Sequence, residues 1–497
     1  MAGSGMKKLA KDTAVYGLSS IIGKFLNWCL VPMYTRVLDS TAEYGVVTHL
    51  YGITALLMVI LTYGMETGFF RFANKKEENP TTVYSTSLIA LLITSLLFVV
   101  LCWVFITPIS NGLGYADYPE FIKLLAIIVA MDAFCSIPFA YLRYTNSPIR
   151  FASIKLLFIF LNIGFNLFFL LLCPYIHKTN PHLIDWFYKE SNGLWYLFFS
   201  NFLGTSIMLL ALLPELFGFK YKFDKALLKR ILQYSLPILP LGIMGIFNQT
   251  ADKIMFPFLF EDKTYANEQL GVYGACFKIA VVMVMFAQAF RFAYEPFIFA
   301  KNKTENSDNT KAYAEVMKYF IIFGLLIFLG VMFYIDILKY FVDAAYFEGI
   351  KVVPIVMVGE LFFGIYFNLS FWYKLIDKTR YGAYFSGIGS IVTITIIVIF
   401  APIYGYMACA WASFACNLTM MMISYFMGQK HFPVKYDLKN IGLYFVLAGA
   451  IYMIGMQIQV ENILIRLLLR TSLLAIFMAF LIKRDIPLRK ILTNLKK

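Results

Sequence analysis

The sequence predicts an all-α polytopic membrane protein: about fourteen transmembrane helices, arranged as two pseudo-symmetric six-helix lobes plus two C-terminal helices. Three observations predict it. The 497 residues are 60% hydrophobic and 14% charged, with a mean hydropathy of +0.71, a composition that excludes a soluble globular class. Apolar runs of about 20 residues, the length that crosses a bilayer, recur along the whole chain. The basic residues gather in alternate short gaps between those runs, as the positive-inside rule requires. That placement assigns the net charge of +14 to membrane orientation and excludes nucleic acid as a partner.

In order, the expected spans are 13–37, 44–72, 83–107, 121–143, 151–174, 193–217 and 231–259, then 271–300, 315–340, 352–376, 381–402, 405–428, 440–459 and 462–482. Met1–Gly5 reads as a cloning scar, with Met6 as the native start and no cleavable signal after it. Gaps on one side carry clusters such as Lys75-Lys76, Lys220 to Arg230, Lys374 with Lys378 and Arg380, Lys430 to Lys439 and the tail 483–497. The opposite gaps hold chiefly Lys178, Lys189, Lys263, Lys339 and Lys351. Both termini are therefore expected in the cytoplasm, and the span number must be even. The longest external gap, about Pro174 to Asn192, reads as a loop with an interfacial Trp186 and solvated His177 and His182. The seven cysteines lie singly in or beside apolar runs, as small buried hydrophobes without metal spacing.

The chain also repeats. Tyr44-Gly45 opens the second span, which ends in Phe72-Ala73 before a basic triplet; Tyr273-Gly274 opens the eighth, which ends in Phe299-Ala300 before another. The offset is six spans, an even number, so the halves would be parallel repeats about an axis along the membrane normal. Chance likeness of apolar helices is the plainer alternative. The expected organisation is an N-terminal lobe 6–217, an amphipathic cytoplasmic linker 218–230 and a C-terminal lobe 231–430. Helices thirteen and fourteen (431–482) and a basic tail 483–497 on anionic headgroups follow.

Polar stripes mark the candidate function. In the eighth span Gln288, Arg291 and Glu295 fall within roughly a 60° arc of one helical face. Charge at bilayer depth costs several kcal/mol, so it persists only facing protein or water. An intrahelical Arg291–Glu295 pair that merely neutralises itself is the bland alternative. The first span carries Lys24 and Asn27 on one face, the second Glu66, the fourth Asp132, and the fifth Asn162 and Asn166. The seventh carries Asn248, Gln249, Asp252 and Lys253, the eighth also Lys278, and the tenth Glu360. Singly, each suits an interhelical hydrogen bond. Together they concentrate in spans 1, 2, 4, 5, 7, 8 and 10, whereas 3, 6, 9 and 11–14 read as nearly charge-free. That segregation implies an aqueous cavity whose Lys24, Lys253, Lys278 and Arg291 favour an anionic cargo such as a phosphate or pyrophosphate.

No phosphate-binding Gly-rich loop, dinucleotide fingerprint, zinc spacing or nucleophile elbow is present in the sequence. No nucleotide and no cofactor is expected. Energy would come from an ion gradient, the membrane potential or the cargo gradient, with Glu66, Asp132, Glu295 or Glu360 as groups that could couple to H⁺ or Na⁺.

The segments KDTAVYGLSSIIGKFLNWCLVPMYTRVLDSTAEYGVV, YGMETGFFRFA, LPILPLGIMGIFNQTADKIMF and YGACFKIAVVMVMFAQAFRFAYEPFIFAKNK resemble the polysaccharide-transporter (Wzx-type oligosaccharide flippase) family. The likeness is strongest over 7–75 and 230–303, and most specific around Arg291, Glu295 and Pro296. That family belongs to the multidrug, oligosaccharidyl-lipid and polysaccharide (MOP) exporter superfamily. The resemblance implies a non-enzymatic flippase of the bacterial inner membrane. Its cargo would be an undecaprenyl-pyrophosphate-linked oligosaccharide, a repeat unit of capsule, O-antigen or exopolysaccharide, moved to the outer leaflet by alternating access. Lys24, Lys253, Lys278 and Arg291 would then meet the pyrophosphate. Asn27, Asn162, Asn166, Asn248, Gln249 and Gln288 would meet sugar hydroxyls. Glu66, Asp132, Asp252, Glu295 and Glu360 would couple or gate. Membrane lipids, and a polymerase or ligase of the same pathway, would be its partners.

Three other readings stay open: a lipid II-type flippase, an ion-coupled drug exporter of the same superfamily, and, more remotely, a membrane glycan polymerase. The partly basic stripes count against a cationic cargo, and the short external loops count against an enzyme.

Overall fold

The computed structural model describes residue 17 and residues 21–218, 220–302, 308–376 and 378–485. Side chains at 191, 293, 295–302, 308 and 309 lie outside that description, as do the expected scar at 1–5 and the basic tail beyond 485. The described residues are helical with short connections and contain no strand. Thirteen helices among them are long and apolar enough to cross a membrane, from Thr41–Ala73 to Ile463–Arg484. Of the expected first span, residues 21–28 and Val31–Val37 are helical.

Local chemistry sets the helix ends. Ser40 and Glu43 form a reciprocal cap: Glu43 N–H donates to Ser40 Oγ (3.3 Å) and Asp39 N–H to Glu43 Oε2 (3.0 Å). Asn79 caps Pro80–Val104 by accepting from Thr81 N–H at 2.9 Å, with Pro80 at the position that needs no donor. Within Thr41–Ala73, Tyr63 (φ 34°) and Gly64 (φ 70°) leave helical geometry and split it into Thr41–Thr62 and Met65–Ala73. A glycine at the second of these positions avoids the Cβ penalty of the left-handed region. Because the break lies just before Glu66, it sets that carboxylate's direction.

The chain packs as two compact units, residues 1–275 with 380–416, and residues 276–379 with 417–497. This division differs from one at 218–230, and the packing explains why. Lys225–Ser235 is a helix whose Leu227 and Ile231 are buried with Met65, Phe69, Tyr84, Leu91 and Ile137 in the first unit's core. The stretch expected to lie on the inner leaflet thus spends its apolar face on protein. The following helix, Leu239–Met255, binds Arg380–Tyr404: Asn248 Nδ2 donates to the Ser386 carbonyl (2.9 Å) and Ser390 Oγ to Asn248 Oδ1 (2.7 Å). In the same unit, a Cβ at Gly45 would collide with the Asn267 carbonyl, and one at Gly271 with that of Thr41. The helices beginning at Thr41 and Lys263 therefore cross backbone to backbone.

The second unit is fastened by charge where helices thirteen and fourteen read as nearly charge-free. Arg470, in Ile463–Arg484, is 4% exposed. Its Nη1 lies 2.9 Å from Asp336 Oδ2, and its Nε donates to the Gly455 carbonyl at 3.0 Å. Arg466 Nε approaches the same carboxylate at 3.0 Å. Asp485 pairs with Lys318 (2.6 Å) and accepts from the Tyr444 hydroxyl. Arg466 and Arg470 are one helical turn apart, so a spacing of four in an apolar run was the available signal. The cysteines are free: five are buried, Cys102 is intermediate and, against expectation, Cys29 is exposed.

Candidate functional site

The first unit carries two polar clusters. One begins where Glu66 pairs with Arg143 at the end of Pro119–Tyr144. Lys155 lies next to it, its ammonium 4.0 Å from the centroid of Phe139 and within electrostatic range of Asp132. About three turns along the same helix, Asn166 is fully buried and donates to the Asn162 carbonyl (2.7 Å) and Oδ1 (3.2 Å). Asn162 reaches Asn27 Oδ1 at 3.5 Å. Lys24 and Asn27 are exposed on their helix. Asparagine supplies both donor and acceptor, so the ladder joins helices while offering its exposed end to solvent.

The second cluster is centred on Asp252. Asp252 is 4% exposed; it accepts from the Tyr273 hydroxyl at 2.6 Å and binds Lys253 Nζ at 3.0 Å. Lys253 also donates to the Gln249 carbonyl at 3.3 Å. These groups pair with one another, as buried charge must, and Lys253 and Tyr273 have further partners besides. Asn248 is committed to Arg380–Tyr404, as described above, while Gln249 is exposed and donates to the Gly245 carbonyl at 3.2 Å.

In the second unit Lys278, Gln288 and Glu360 are half-buried, and each has interaction partners. Arg291 is exposed. Its guanidinium lies 4.4 Å from the centroid of Phe367. Lys374 stands 4.8 Å from the Phe371 centroid and 5.9 Å from that of Phe367. Ser370 produces this arrangement: it ends Val353–Leu369, back-bonds to the Phe367 carbonyl at 2.6 Å, and turns the chain into Phe371–Leu375. A ring face attracts a cation electrostatically, and Arg291 and Lys374 each have further interaction partners besides. Sequence reasoning placed Lys374 in a basic gap; the aromatic run around it was the signal. The side chain of Glu295 lies outside the described residues. Among the described residues no group of three or more His, Cys, Asp or Glu could hold a metal ion.

The sequence matches the family described as "Polysaccharide biosynthesis protein" over residues 9–299. The chain belongs to that family. A search of curated proteins returns no match. Among solved structures, a lipid II flippase, MurJ, in an inward closed conformation superposes with a TM-score of 0.74 at 14% identity, covering 94% of this chain and 98% of that one. An inward-facing multidrug resistance MATE family transporter of the MOP superfamily gives 0.65 at 13% identity, covering 85% and 97%. An outward-facing conformation of a multidrug resistance MATE family transporter gives 0.57 at 14%, covering 85% and 95%. The fold is therefore the one shared by these MurJ and MATE structures, and with thirteen helices long and apolar enough to cross a membrane the chain is a multi-pass membrane protein.

Proposed function

We propose that this family member flips an undecaprenyl-pyrophosphate-linked oligosaccharide from the cytoplasmic to the outer leaflet of the bacterial inner membrane by alternating access, with both termini cytoplasmic. The observation that carries the reading is the Arg291–Lys374 pair on the faces of Phe367 and Phe371. A pyrophosphate takes charge-assisted hydrogen bonds from more than one cation, and a planar guanidinium fits it bidentately. The family's concern with polysaccharide and the fold shared with a lipid II flippase support a lipid-linked sugar as cargo.

Lys24 and Lys278 would add to the positive field along the path, and Asn27 and Gln288 would meet sugar hydroxyls. Lys253, held by Asp252, would serve the packing of its helix instead. Glu295, four residues after Arg291, would restrain the guanidinium in the empty carrier until cargo competes for it. Coupling to H⁺ or Na⁺ through Asp132, Glu66 or Glu360, or to membrane potential at about 2.3 kcal/mol per charge per 100 mV, would supply the energy.

The test is leaflet translocation of a fluorescent undecaprenyl-pyrophosphate-linked sugar in proteoliposomes without ATP. Wild type should flip it, and Arg291→Ala should not. Exchange of a cationic dye for H⁺ or Na⁺ with no lipid flipping would place the chain with the drug exporters instead.

A further inference from the structure

Within the first unit, the face opposite the lysine-rich gaps contains a cavity of about 710 Å³, a volume typical of small-molecule sites. Four helices begin at its wall: Thr41–Thr62, Pro119–Tyr144, Gly193–Ala211 and Lys263–Asn302. Each N-terminus contributes about half a positive charge. Glu43, Asp117 and Glu120 line the same cavity, with Lys263 as the one lining cation. Three carboxylates less one ammonium leave −2, which the four helix ends roughly cancel. Lys263 is moreover engaged, donating to the carbonyls of Pro257 (2.9 Å) and Phe260 (2.8 Å). The cavity is therefore dense in hydrogen-bonding groups yet close to neutral, which suits neither a pyrophosphate nor an organic cation.

Its remaining features point to a ligand. Asn267 is 6% exposed and lines the cavity; its Oδ1 accepts from the Tyr115 hydroxyl at 3.3 Å, and that hydroxyl meets His49 Nδ1 at 2.7 Å. This chain fixes the amide, and its Nδ2 meets no protein acceptor among the described residues. Tyr118, 54% exposed, lies parallel to the buried Phe121, with centroids 5.3 Å apart and planes 2° apart. Trp195, also on the wall, is stacked on Phe199 at 4.5 Å. Both aromatics are thus held rigid from behind.

We propose that this cavity binds an uncharged sugar, with the C–H face of a pyranose ring on Tyr118 or Trp195 and its hydroxyls on Asn267 and the carboxylates. The transport reading enters only in naming the sugar's source, the glycan end of the lipid-linked cargo on the delivery side. Fixed aromatic surface with a few placed polar groups is the usual composition of such sites.

Saturation-transfer NMR on the full chain in nanodiscs tests this, with a panel of uncharged methyl glycosides as probes and inorganic pyrophosphate and tetraphenylphosphonium as charged comparators. At least one glycoside should show transfer. That transfer should fall at least fivefold in Tyr118→Ala and in Asp117→Asn, both at exposed positions, and persist in Trp186→Ala, an 82% exposed aromatic outside the cavity. No transfer to any glycoside, transfer unchanged in both cavity variants, or occupation by either charged comparator instead would overturn the proposal. Glycoside binding by a wild type that fails to flip lipid-linked sugar would support the site and reject the transport reading. Flipping without glycoside binding would do the reverse.

Discussion

Two arginines of the second unit show how one residue type serves opposite ends. Arg470 is buried, and its donors go to Asp336 and the Gly455 carbonyl. Arg291 is exposed, with its charge over the face of Phe367. In a dry interior the guanidinium must be fully satisfied by protein, so it can only hold helices together. Over a ring face, an exposed cation is held by the π-cloud and stays within reach of its surroundings. The environment, rather than the residue, separates a fastener from the binding group proposed at Arg291.

Arg470→Ala should have the largest effect of all. It removes the buried guanidinium that joins Asp336 to the Gly455 carbonyl and leaves that half-buried carboxylate with Arg466 alone, visible as loss of monodisperse protein and a much lower unfolding temperature. If Arg470→Ala behaves like wild type, the fastener reading fails. Arg291→Ala should do the converse: normal insertion and thermal stability, with flipping reduced tenfold or more and Arg291→Lys retaining part of it. A stable Arg291→Ala that flips at the wild-type rate removes its binding role. Lys374→Gln should be milder, a severalfold loss of flipping that rising salt imitates, because a half-exposed cation is screened. An unchanged salt dependence in that variant would break the pairing of Lys374 with Arg291.

The smallest effect belongs to Asp437, outside the spans. Asn440 donates to it through Nδ2 (2.5 Å) and the backbone N–H (3.4 Å), which holds its carboxyl below the usual carboxylate range. A depressed value means the cap contributes fully above the unfolded value, about 3.9, and is lost as pH falls through the folded one. Asp437→Ala should therefore cost about 1 kcal/mol at pH 7. Thermal unfolding followed against pH should show mutant and wild type converging in acid.

The sequence by itself determined what solvent demands. Residues that must lie in lipid have to be apolar in runs of helical length, so the all-helical membrane class and nearly every span could be read directly. The stripe around Arg291 was legible for the same reason, since polarity is conspicuous against an apolar helix. Partnership was not legible. Lys253 and Arg291 look alike in an apolar run, yet one is held by a buried Asp252 that Tyr273 also binds and the other is exposed over the face of Phe367. Lys374 looked like a gap lysine until Ser370 turned it beside Phe367. Arg470 was passed over because its carboxylate lies 134 residues away. The cavity at Tyr118 exists only because four helix starts meet there. Periodicity and hydropathy are local quantities carried by neighbours in the chain. A charge's role depends on which distant group folding brings within about 4 Å, and only the tertiary structure decides that.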